Sequence, residues 1–275
     1  LMKNLAKERQ VMEYSEGWHH RLKDGRVIDV SITSHTIQFK GYEAALVIAQ
    51  DITERKQAER NLQMRTEDLS LINILNEAAN RGENLDNMVK LFAKKIGEMI
   101  PTYRGTSIYL FDPSTKYLEM LGESLSPSLI EKIERFIGQP IPKIRIPVQA
   151  GSYFEKLLRT ETGTITSDPN ALQQWIAEFT ETTFLPPLIR AGFKKIVPQI
   201  YKLLNIKSVI SVPLISSGTA IGLLDVSSSI MLTEDDLKRL QDISSQVTAV
   251  ILRKQAEDKI KKRNQMLLAI HQVST

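Results

Sequence analysis

The chain has 275 residues, of which 42% are hydrophobic and 25% charged, the composition of a folded protein with one or two domains. The longest apolar run, residues 44–49, is far shorter than the about 20 residues of a membrane helix. A net charge of +4 over this length gives no indication of nucleic-acid binding. Because the chain contains no cysteine, disulfides, thiolate metal sites and cysteine nucleophiles are excluded.

Residues 1–53 predict three antiparallel strands, preceded by a short helix near residues 1–13. Asp24–Gly25 and Lys40–Gly41 each predict a tight hairpin turn, because glycine tolerates a positive φ. The apolar run 44–49 predicts a buried strand. Three strands would leave an apolar face open, so we do not expect this segment to be a stable domain alone.

The end of this segment predicts a rigid connection from strand to helix. A pattern that includes Trp18–Gly25 and two further strands finishes on Asp51, Ile52, Thr53 and Glu54. We expect Asp51 to cap the following helix and Glu54 to return the bond. The pattern resembles the C-terminal half of a PAS sensor domain. That resemblance implies that a signal leaves the domain at this junction (Asp51, Thr53 and Glu54), and that any PAS ligand site is incomplete.

A pentapeptide, Arg-Lys-Gln-Ala-Glu, occurs at residues 55–59 and again at 253–257, 198 residues later. Apolar side chains after both copies are spaced for one helix face and fit the a and d positions of a heptad. They are Ala58, Leu62, Leu69 and Ile72 in the first copy, and Ala256, Ile260, Leu267 and Ile270 in the second. Two heptads also fit plain amphipathic surface helices. The repetition favours a connector helix used twice, at 54–70 and 253–275.

Residues 71–252 predict one complete module of helices and strands. Strands are predicted at 207–214 and 220–226, paired across Ser217–Gly218, and Thr233 is expected to begin the cap of a long last helix. Earlier strands are predicted at 107–111, 117–122 and 164–166, and short helices at 153–158 and after Asp168–Pro169.

Three phrases of this module, Lys207–Leu214, Ile221–Val226 and Leu232–Leu237, stand in the order and spacing of the GAF domain family, which the module resembles. The resemblance implies an α+β fold: an antiparallel sheet of five or six strands, with helices on one face and a small-molecule pocket on the other. The stretch Gln173–Leu204 is longer than the family usually carries. We expect it to cover the pocket as a lid, although its aromatic residues also fit a larger core.

Six residues are candidates for contact with a ligand. The sequence does not decide whether the side of the strand that carries Asp225 faces solvent or a pocket, and Asp168 also fits a simple helix cap. The candidates are Asp168, Ser211 and Asp225 among the polar residues, and Trp175, Phe179 and Tyr201 in the expected lid.

Histidine occurs only at positions 19, 20, 35 and 271, so the second module has neither histidine nor cysteine. This excludes a His-ligated haem there, and the covalent bilin attachment known in some GAF relatives. No cofactor and no metal site is indicated. His271 lacks the following carboxylate that is typical of a phosphoacceptor helix, so we do not expect it to be phosphorylated.

These observations predict a sensory, non-catalytic segment of a cytoplasmic protein that resembles multi-sensor histidine kinases of two-component systems. A small molecule in the GAF-like pocket would alter the packing of the flanking helices. The connectors, paired in a parallel homodimer, would carry that change to an output domain further along the same polypeptide. Two alternatives are an enzyme acting on a small molecule in the pocket and a purely structural dimerisation scaffold.

Overall fold

The computed structural model describes residues 12–99, 102–124, 130–132, 134–135, 138, 140, 144–179, 198–199 and 201–273. The chain divides into two compact units, Leu1–Glu67 and Asp68–Thr275. Most of the predicted lid and most of the predicted helix near residues 1–13 lie outside the described residues.

The first unit contains a three-stranded antiparallel sheet of β1 (Met12–Arg21), β2 (Val27–Phe39) and β3 (Tyr42–Asp51), in that order. Both predicted hairpin turns are present. Lys40 and Gly41 have φ values of 52° and 82°. A type I′ turn, the two-residue turn whose twist matches that of the flanking strands, requires a positive φ at both positions. Residues 12 and 13, where a helix was expected, belong to β1.

The prediction that residues 44–49 form a buried strand is wrong in its burial. They lie in β3, but Leu46, Val47 and Ile48 are 46%, 56% and 53% exposed. An uninterrupted apolar run is typical of a strand covered on both faces. In the described part of this unit, neither face of β3 has such a cover.

The second unit is built on a six-stranded sheet with the order β6-β5-β4-β9-β8-β7, in which every neighbouring pair is antiparallel. The predicted α+β fold is thereby confirmed. The strands are β4 (Tyr103–Asp112), β5 (Tyr117–Glu123), β6 (Arg145–Pro147), β7 (Thr164–Thr166), β8 (Ser208–Ser216) and β9 (Thr219–Ser228). The helices in the described part of the chain include α1 (Thr53–Asn80), which begins in the first unit, α2 (Leu85–Met99), α3 (Tyr153–Leu158), α4 (Pro169–Glu178) and α5 (Glu234–Val273).

One face of this sheet packs against α1, α2 and α5. Strand residues such as Ile210, Val212 and Leu224 share a core with Leu75 of α1 and Val247 of α5. Successive side chains of a strand point to opposite faces, so the residues between them face α3 and α4. The two faces have separate apolar clusters, so the same strands pack against α1, α2 and α5 on one face and against α3 and α4 on the other.

Both long helices continue through the predicted connector boundaries. α1 is one helix from Thr53 to Asn80, and α5 one helix from Glu234 to Val273. Thr233 caps α5 as predicted, because its hydroxyl accepts the N–H of Asp236 and the Asp236 carboxylate accepts the N–H of Thr233. The connector segments are therefore extensions of these helices beyond the packed sheet.

Candidate functional site

The pairing of β8 with β9 brings two polar candidates side by side. Ser211 and Asp225 are register partners in the middle of the sheet. Their neighbours Ile210 and Leu224 belong to the core beneath the helices. Ser211 and Asp225 consequently point to the other face, towards α3 and α4, which answers the question that the sequence left open.

α4 closes over this face and supplies the first partner. Asp168 begins the helix by accepting the N–H of Ala171 at 2.9 Å, and Pro169 follows it in the first turn. Two turns further on, the indole Nε1 of Trp175 donates a hydrogen bond of 3.0 Å to Oδ2 of Asp225. We call Asp225, Ser211 and Trp175 the polar centre.

Two polar atoms of this centre are buried without a hydrogen bond of standard geometry among the described residues, although the Ser211 hydroxyl lies near enough to act on the pKa of both Asp225 and Tyr153. Ser211 is 0% and Asp225 2% exposed. Among the described residues, neither Ser211 Oγ nor Asp225 Oδ1 makes a hydrogen bond of standard geometry. Because an unsatisfied buried polar atom costs about 1 to 3 kcal/mol, such atoms need an explanation, and an absent ligand or water is the ordinary one.

The electrostatics follow from this burial. Burial raises the pKa of Asp225 to about 6, against the opposing effects of the Trp175 hydrogen bond and the nearby Ser211 hydroxyl. Tyr153 of α3 lies close by, with its hydroxyl 2.8 Å from Oγ1 of Thr166. Burial also raises the pKa of Tyr153, and the charge of Asp225 acts in the same direction. The centre is thus a group of hydrogen-bond acceptors that carries a negative charge when Asp225 is ionised and lies in an apolar environment.

Aromatic rings surround the centre on the α3 and α4 side. Trp175 contacts Phe179 edge-on, with ring centroids 5.3 Å apart. Phe179 in turn contacts Phe154 of α3 and Tyr109 of β4, at 5.9 and 6.3 Å. We call Tyr109, Phe154, Trp175 and Phe179 the aromatic cluster. Its rings give this face of the sheet a large apolar surface next to one carboxylate.

The structure brings together most of the predicted ligand contacts. Trp175, Phe179, Ser211 and Asp225 meet on one face, and Tyr201 packs at the edge of the same apolar cluster. Asp168 is separate, since its exposed carboxylate caps α4. The sequence did not predict Tyr153, Thr166 and Tyr109 as members of this site. None of these stands in a distinctive pattern, so only their positions in space associate them with the site.

The predicted junction at the end of the first sheet has a different hydrogen-bond pattern from the one expected. Asp51 accepts the N–H of Thr53 at 2.9 Å, and hydrogen bonds from the hydroxyl and the N–H of Thr53 lower the pKa of Asp51. The carbonyl that opens α1, however, belongs to Ile52. No bond from Glu54 returns to Asp51 within the described residues. Helix α1 begins one residue later than a cap at Asp51 requires, so Glu54 is too early in it for the reciprocal bond.

Thr53 instead connects the helix to β2. Its Oγ1 accepts the N–H of Asp29 at 2.9 Å, and the carbonyl of Asp29 accepts the N–H of Ile52 at 2.9 Å. The Asp29 carboxylate also faces the cationic groups of Lys56 and Arg60, at 3.5 and 3.8 Å. The junction is therefore held by Asp29, a residue that the sequence analysis did not single out.

In the part of the chain that the structure describes, no three or more His, Asp or Glu side chains are grouped as a metal site would require. No helix there has an apolar stretch long enough to cross a membrane.

Comparison with known proteins identifies the second unit. The family model described as "GAF domain" matches residues 85–251, more than half of the chain. No curated protein matched the chain in a sequence comparison.

Solved structures with similar folds include the phycoerythrobilin-bound GAF domain of a cyanobacterial phytochrome, at 13% identity and a TM-score of 0.47, covering 70% of this chain and 99% of that one. Another is the GAF domain of an Acinetobacter phosphoenolpyruvate-protein phosphotransferase, at 12% identity and a TM-score of 0.45, covering 68% and 94%. A third is the free methionine-R-sulfoxide reductase of Neisseria meningitidis in complex with its substrate, at 15% identity and a TM-score of 0.46, covering 70% and 91%.

Proposed function

Because the chain belongs to the GAF domain family, whose members are small-molecule-binding sensory domains, we propose that it senses a small molecule at the polar centre and relays the change through α1 and α5. The observation that carries this proposal is a pair of buried oxygens, Ser211 Oγ and Asp225 Oδ1, neither of which makes a hydrogen bond of standard geometry among the described residues. A ligand that bonds to both would remove their desolvation cost, so its affinity has a physical source. Because the chain has no cysteine, the ligand would not be attached covalently to a cysteine thiol.

The relay follows from the two-sided construction of the sheet. Ser211 and Asp225 alternate along their strands with Ile210, Val212 and Leu224, which pack into the core of the long helices. Protein interiors are close-packed, so a ligand that shifts β8 or β9 also shifts the contacts on the opposite face. A sensor of this kind needs no chemistry, only a changed equilibrium between two packings of the helices.

Polar contacts between α1 and α5 give the relay a direction. Arg239 Nε of α5 donates to Asp68 of α1 at 2.8 Å, and Arg253 further along donates to Asn76 at 3.2 Å. The later residue of one helix meets the later residue of the other, so the helices run in the same direction. A displacement entering along α1 would leave along α5 towards its C-terminal end.

The exposed apolar stripes of α1 and α5 suit contacts with partners. The stripes at Leu62 and Leu69, and at Ile260, Leu267 and Ile270, are exposed and have the spacing of a parallel coiled-coil dimer. We propose that these stripes pair two copies of the chain. In this proposal, the first unit is the C-terminal part of a PAS-like domain that signals through Thr53. An output domain of a cytoplasmic two-component protein receives the signal. A dimerisation scaffold without a ligand is the second candidate, and the same exposed stripes favour it.

Ligand binding separates these candidates. We expect purified protein to show an increased melting temperature with at least one member of a metabolite library, since a ligand at 100 times its Kd stabilises by about 2.7 kcal/mol. Ser211→Ala should abolish or weaken that response with little effect on the stability of the free protein, because the hydroxyl makes no hydrogen bond of standard geometry among the described residues. Ser216→Ala, at the other end of the same strand, is the matched control. A library without any binder would leave the scaffold as the function.

The relay has its own readout. The chain has no cysteine, so one cysteine introduced at exposed Gln255 carries a single spin label per copy. In the dimer, we expect the ligand found above to shift the label-to-label distance distribution, and Ser211→Ala to prevent the shift. A ligand that binds and leaves the distribution unchanged would contradict the relay.

A further inference from the structure

We propose that the polar centre selects a cationic amine, with its ammonium group held between Asp225 Oδ1 and Ser211 Oγ. This inference rests on the proposed function, because it names the class of ligand for the same site. It is carried by three observations: the hydrogen-bonding capacity that is left unused, the absence of a counter-ion and the aromatic surroundings.

The unused capacity requires a donor. An ionised carboxylate has only acceptor sites. Oδ2 of Asp225 already accepts the indole N–H of Trp175, whereas Oδ1 makes no hydrogen bond of standard geometry within the described residues. The hydroxyl of Ser211 lies near enough to act on the pKa of Asp225 and also makes no hydrogen bond of standard geometry there, so its lone pairs can accept a second hydrogen of the same nitrogen. An ammonium group has three hydrogens to donate and no lone pair, so it complements both atoms.

The charge of Asp225 points in the same direction. Among the described residues, no Lys, Arg or His side chain forms an ion pair with it, and the GAF-family region contains no histidine at all. Buried charges in proteins are normally paired, because an isolated one is costly to desolvate. A cationic ligand would supply the counter-ion that the described residues do not, and an anionic ligand would be repelled.

The rings beside the carboxylate suit an organic cation. Trp175 touches both Asp225, through its N–H, and Phe179, through its ring. Aromatic faces attract ammonium groups by their quadrupole, most strongly when water is excluded. The rest of the aromatic cluster offers apolar surface for a hydrocarbon portion, so the expected ligand is an amine with an aliphatic or aromatic body.

Trp175 provides a direct probe. The chain has two tryptophans, Trp18 and Trp175, so in a Trp18→Phe variant the indole emission comes from the polar centre alone. We would titrate this variant with benzylamine and butylamine. Benzyl alcohol and butanol are the neutral counterparts, and benzoate and butyrate the anionic ones. We expect a saturable emission change with an amine. Its neutral and anionic counterparts should bind at least tenfold more weakly, or give no emission change.

Substitution of the carboxylate tests the assignment. In Asp225→Asn, the amide oxygen can still accept from Trp175 while an N–H₂ group replaces Oδ1, so amine affinity should fall at least tenfold. Asp168→Asn is the control, since asparagine caps a helix equally well and lies outside the site. Circular dichroism verifies folding. Should Asp225→Asn fail to fold, Ser211→Ala is measured instead and should weaken amine binding several-fold.

The outcomes are distinguishable from those of the proposed function. Amines that bind equally to Asp225→Asn and Asp168→Asn would overturn the inference. So would a metabolite library whose binders depend on Ser211 but are neutral or anionic; the sensory function would then stand without the amine. A library with no binder of any class would overturn both.

Discussion

At the scale of single residues, the free protein carries a cost at the polar centre. Among the described residues, the carboxylate of Asp225 is buried with one hydrogen bond of standard geometry, from Trp175, and without a counter-ion. Its raised pKa measures how much the folded state disfavours the charge, at 1.36 kcal/mol for each pKa unit. A site that is unfavourable when empty is favourable to fill, so this cost and the proposed binding have one physical origin.

The cost predicts a pH-dependent stability difference between the wild type and Asp225→Asn. With a folded pKa of about 6 and an ordinary pKa near 4, the folded state binds more protons than the unfolded state between these values. Stability from this residue is therefore present below about pH 4 and is lost as the pH rises to about 6. Asparagine cannot ionise, so the stability of the variant relative to the wild type should rise by up to about 3 kcal/mol from pH 4 to pH 7.

Urea denaturation of both proteins across this pH range measures the difference. Tyr153 is the titratable neighbour, and its pKa is raised further from an already high value, so it stays neutral throughout. The other carboxyl groups titrate in both proteins and cancel. A difference in stability that stays constant between pH 4 and pH 7 would contradict the burial of an ionised Asp225.

How far the sequence predicts this site depends on the kind of information. The polar residues of the predicted strands and the aromatic residues of the expected lid, together with the pocket that the GAF resemblance implies, singled out Ser211, Asp225, Trp175 and Phe179. The side of the sheet that they face was not predictable, because both sides of β8 and β9 are buried, so the usual contrast between apolar and polar faces is missing. The unpartnered state of two oxygens is a property of distances, which no local pattern contains.

At the scale of elements, the strand-to-helix junction of the first unit is held by the backbone of β2. Asp29 both donates its N–H to Thr53 Oγ1 and accepts the N–H of Ile52 through its carbonyl. These bonds fix the start of α1 to a central strand, which stays paired on both sides. In these hydrogen bonds, α1 contributes the side-chain hydroxyl of Thr53, which a single substitution can remove.

We expect Thr53→Val to loosen this junction. Valine has the shape of threonine but leaves the N–H of Asp29 without its acceptor, which costs about 1 kcal/mol for a part-buried bond. The amide hydrogen of Asp29 should then exchange with solvent about five- to tenfold faster, since local opening sets the exchange rate. Hydrogen exchange followed by NMR at the Asp29 amide gives the rate for each variant.

Two controls keep this test specific. Thr53→Ser retains the acceptor and should restore the protection of Asp29. Thr66→Val removes a hydroxyl from the same helix that, among the described residues, bonds to the carbonyl of Leu62, so Asp29 should not respond. Equal protection of Asp29 in Thr53→Val and Thr66→Val would show that the junction does not depend on this bond.

The elements differ in how far the sequence predicts them. Hairpin turns at Lys40–Gly41 and Ser217–Gly218 were predicted because a positive φ at both positions leaves a clear residue signature. β6 was missed, since Arg145–Pro147 is a three-residue edge strand that owes its existence to β5. Burial of β3 was overestimated for a related reason: an apolar run indicates that a strand can be covered, but the covering element lies elsewhere in space.

At the scale of the whole molecule, the duplicated pentapeptide takes the same local form twice. Arg55 faces Glu59, and Arg253 faces Glu257, each at 3.8 Å and one helical turn apart. In both places a long helix carries exposed apolar residues next to its packed part, ahead of the packed residues in α1 and after them in α5. Repetition of an exposed apolar stripe favours an interface, because a chance stripe has no reason to occur twice.

The second stripe, Ile260, Leu267 and Ile270, gives the sharpest test of self-association. Its residues are spaced seven and three apart, as the a and d positions of a coiled coil are. In the double variant Leu267→Lys and Ile270→Lys, four lysines of a dimer would meet in the seam. We expect the wild type to sediment as a dimer and this variant as a monomer, measured by equilibrium ultracentrifugation over a range of concentrations.

Leu268 supplies a matched control from the same turn of helix. It is 65% exposed against 56% for Leu267, but it lies off the a and d positions. If a specific seam drives association, Leu268→Lys should remain dimeric although it removes as much exposed apolar surface. If general hydrophobicity drives it, Leu268→Lys and Leu267→Lys should weaken association equally. A wild-type chain that stays monomeric at the highest concentration would remove the dimer, and with it the inter-copy distance on which the relay is measured.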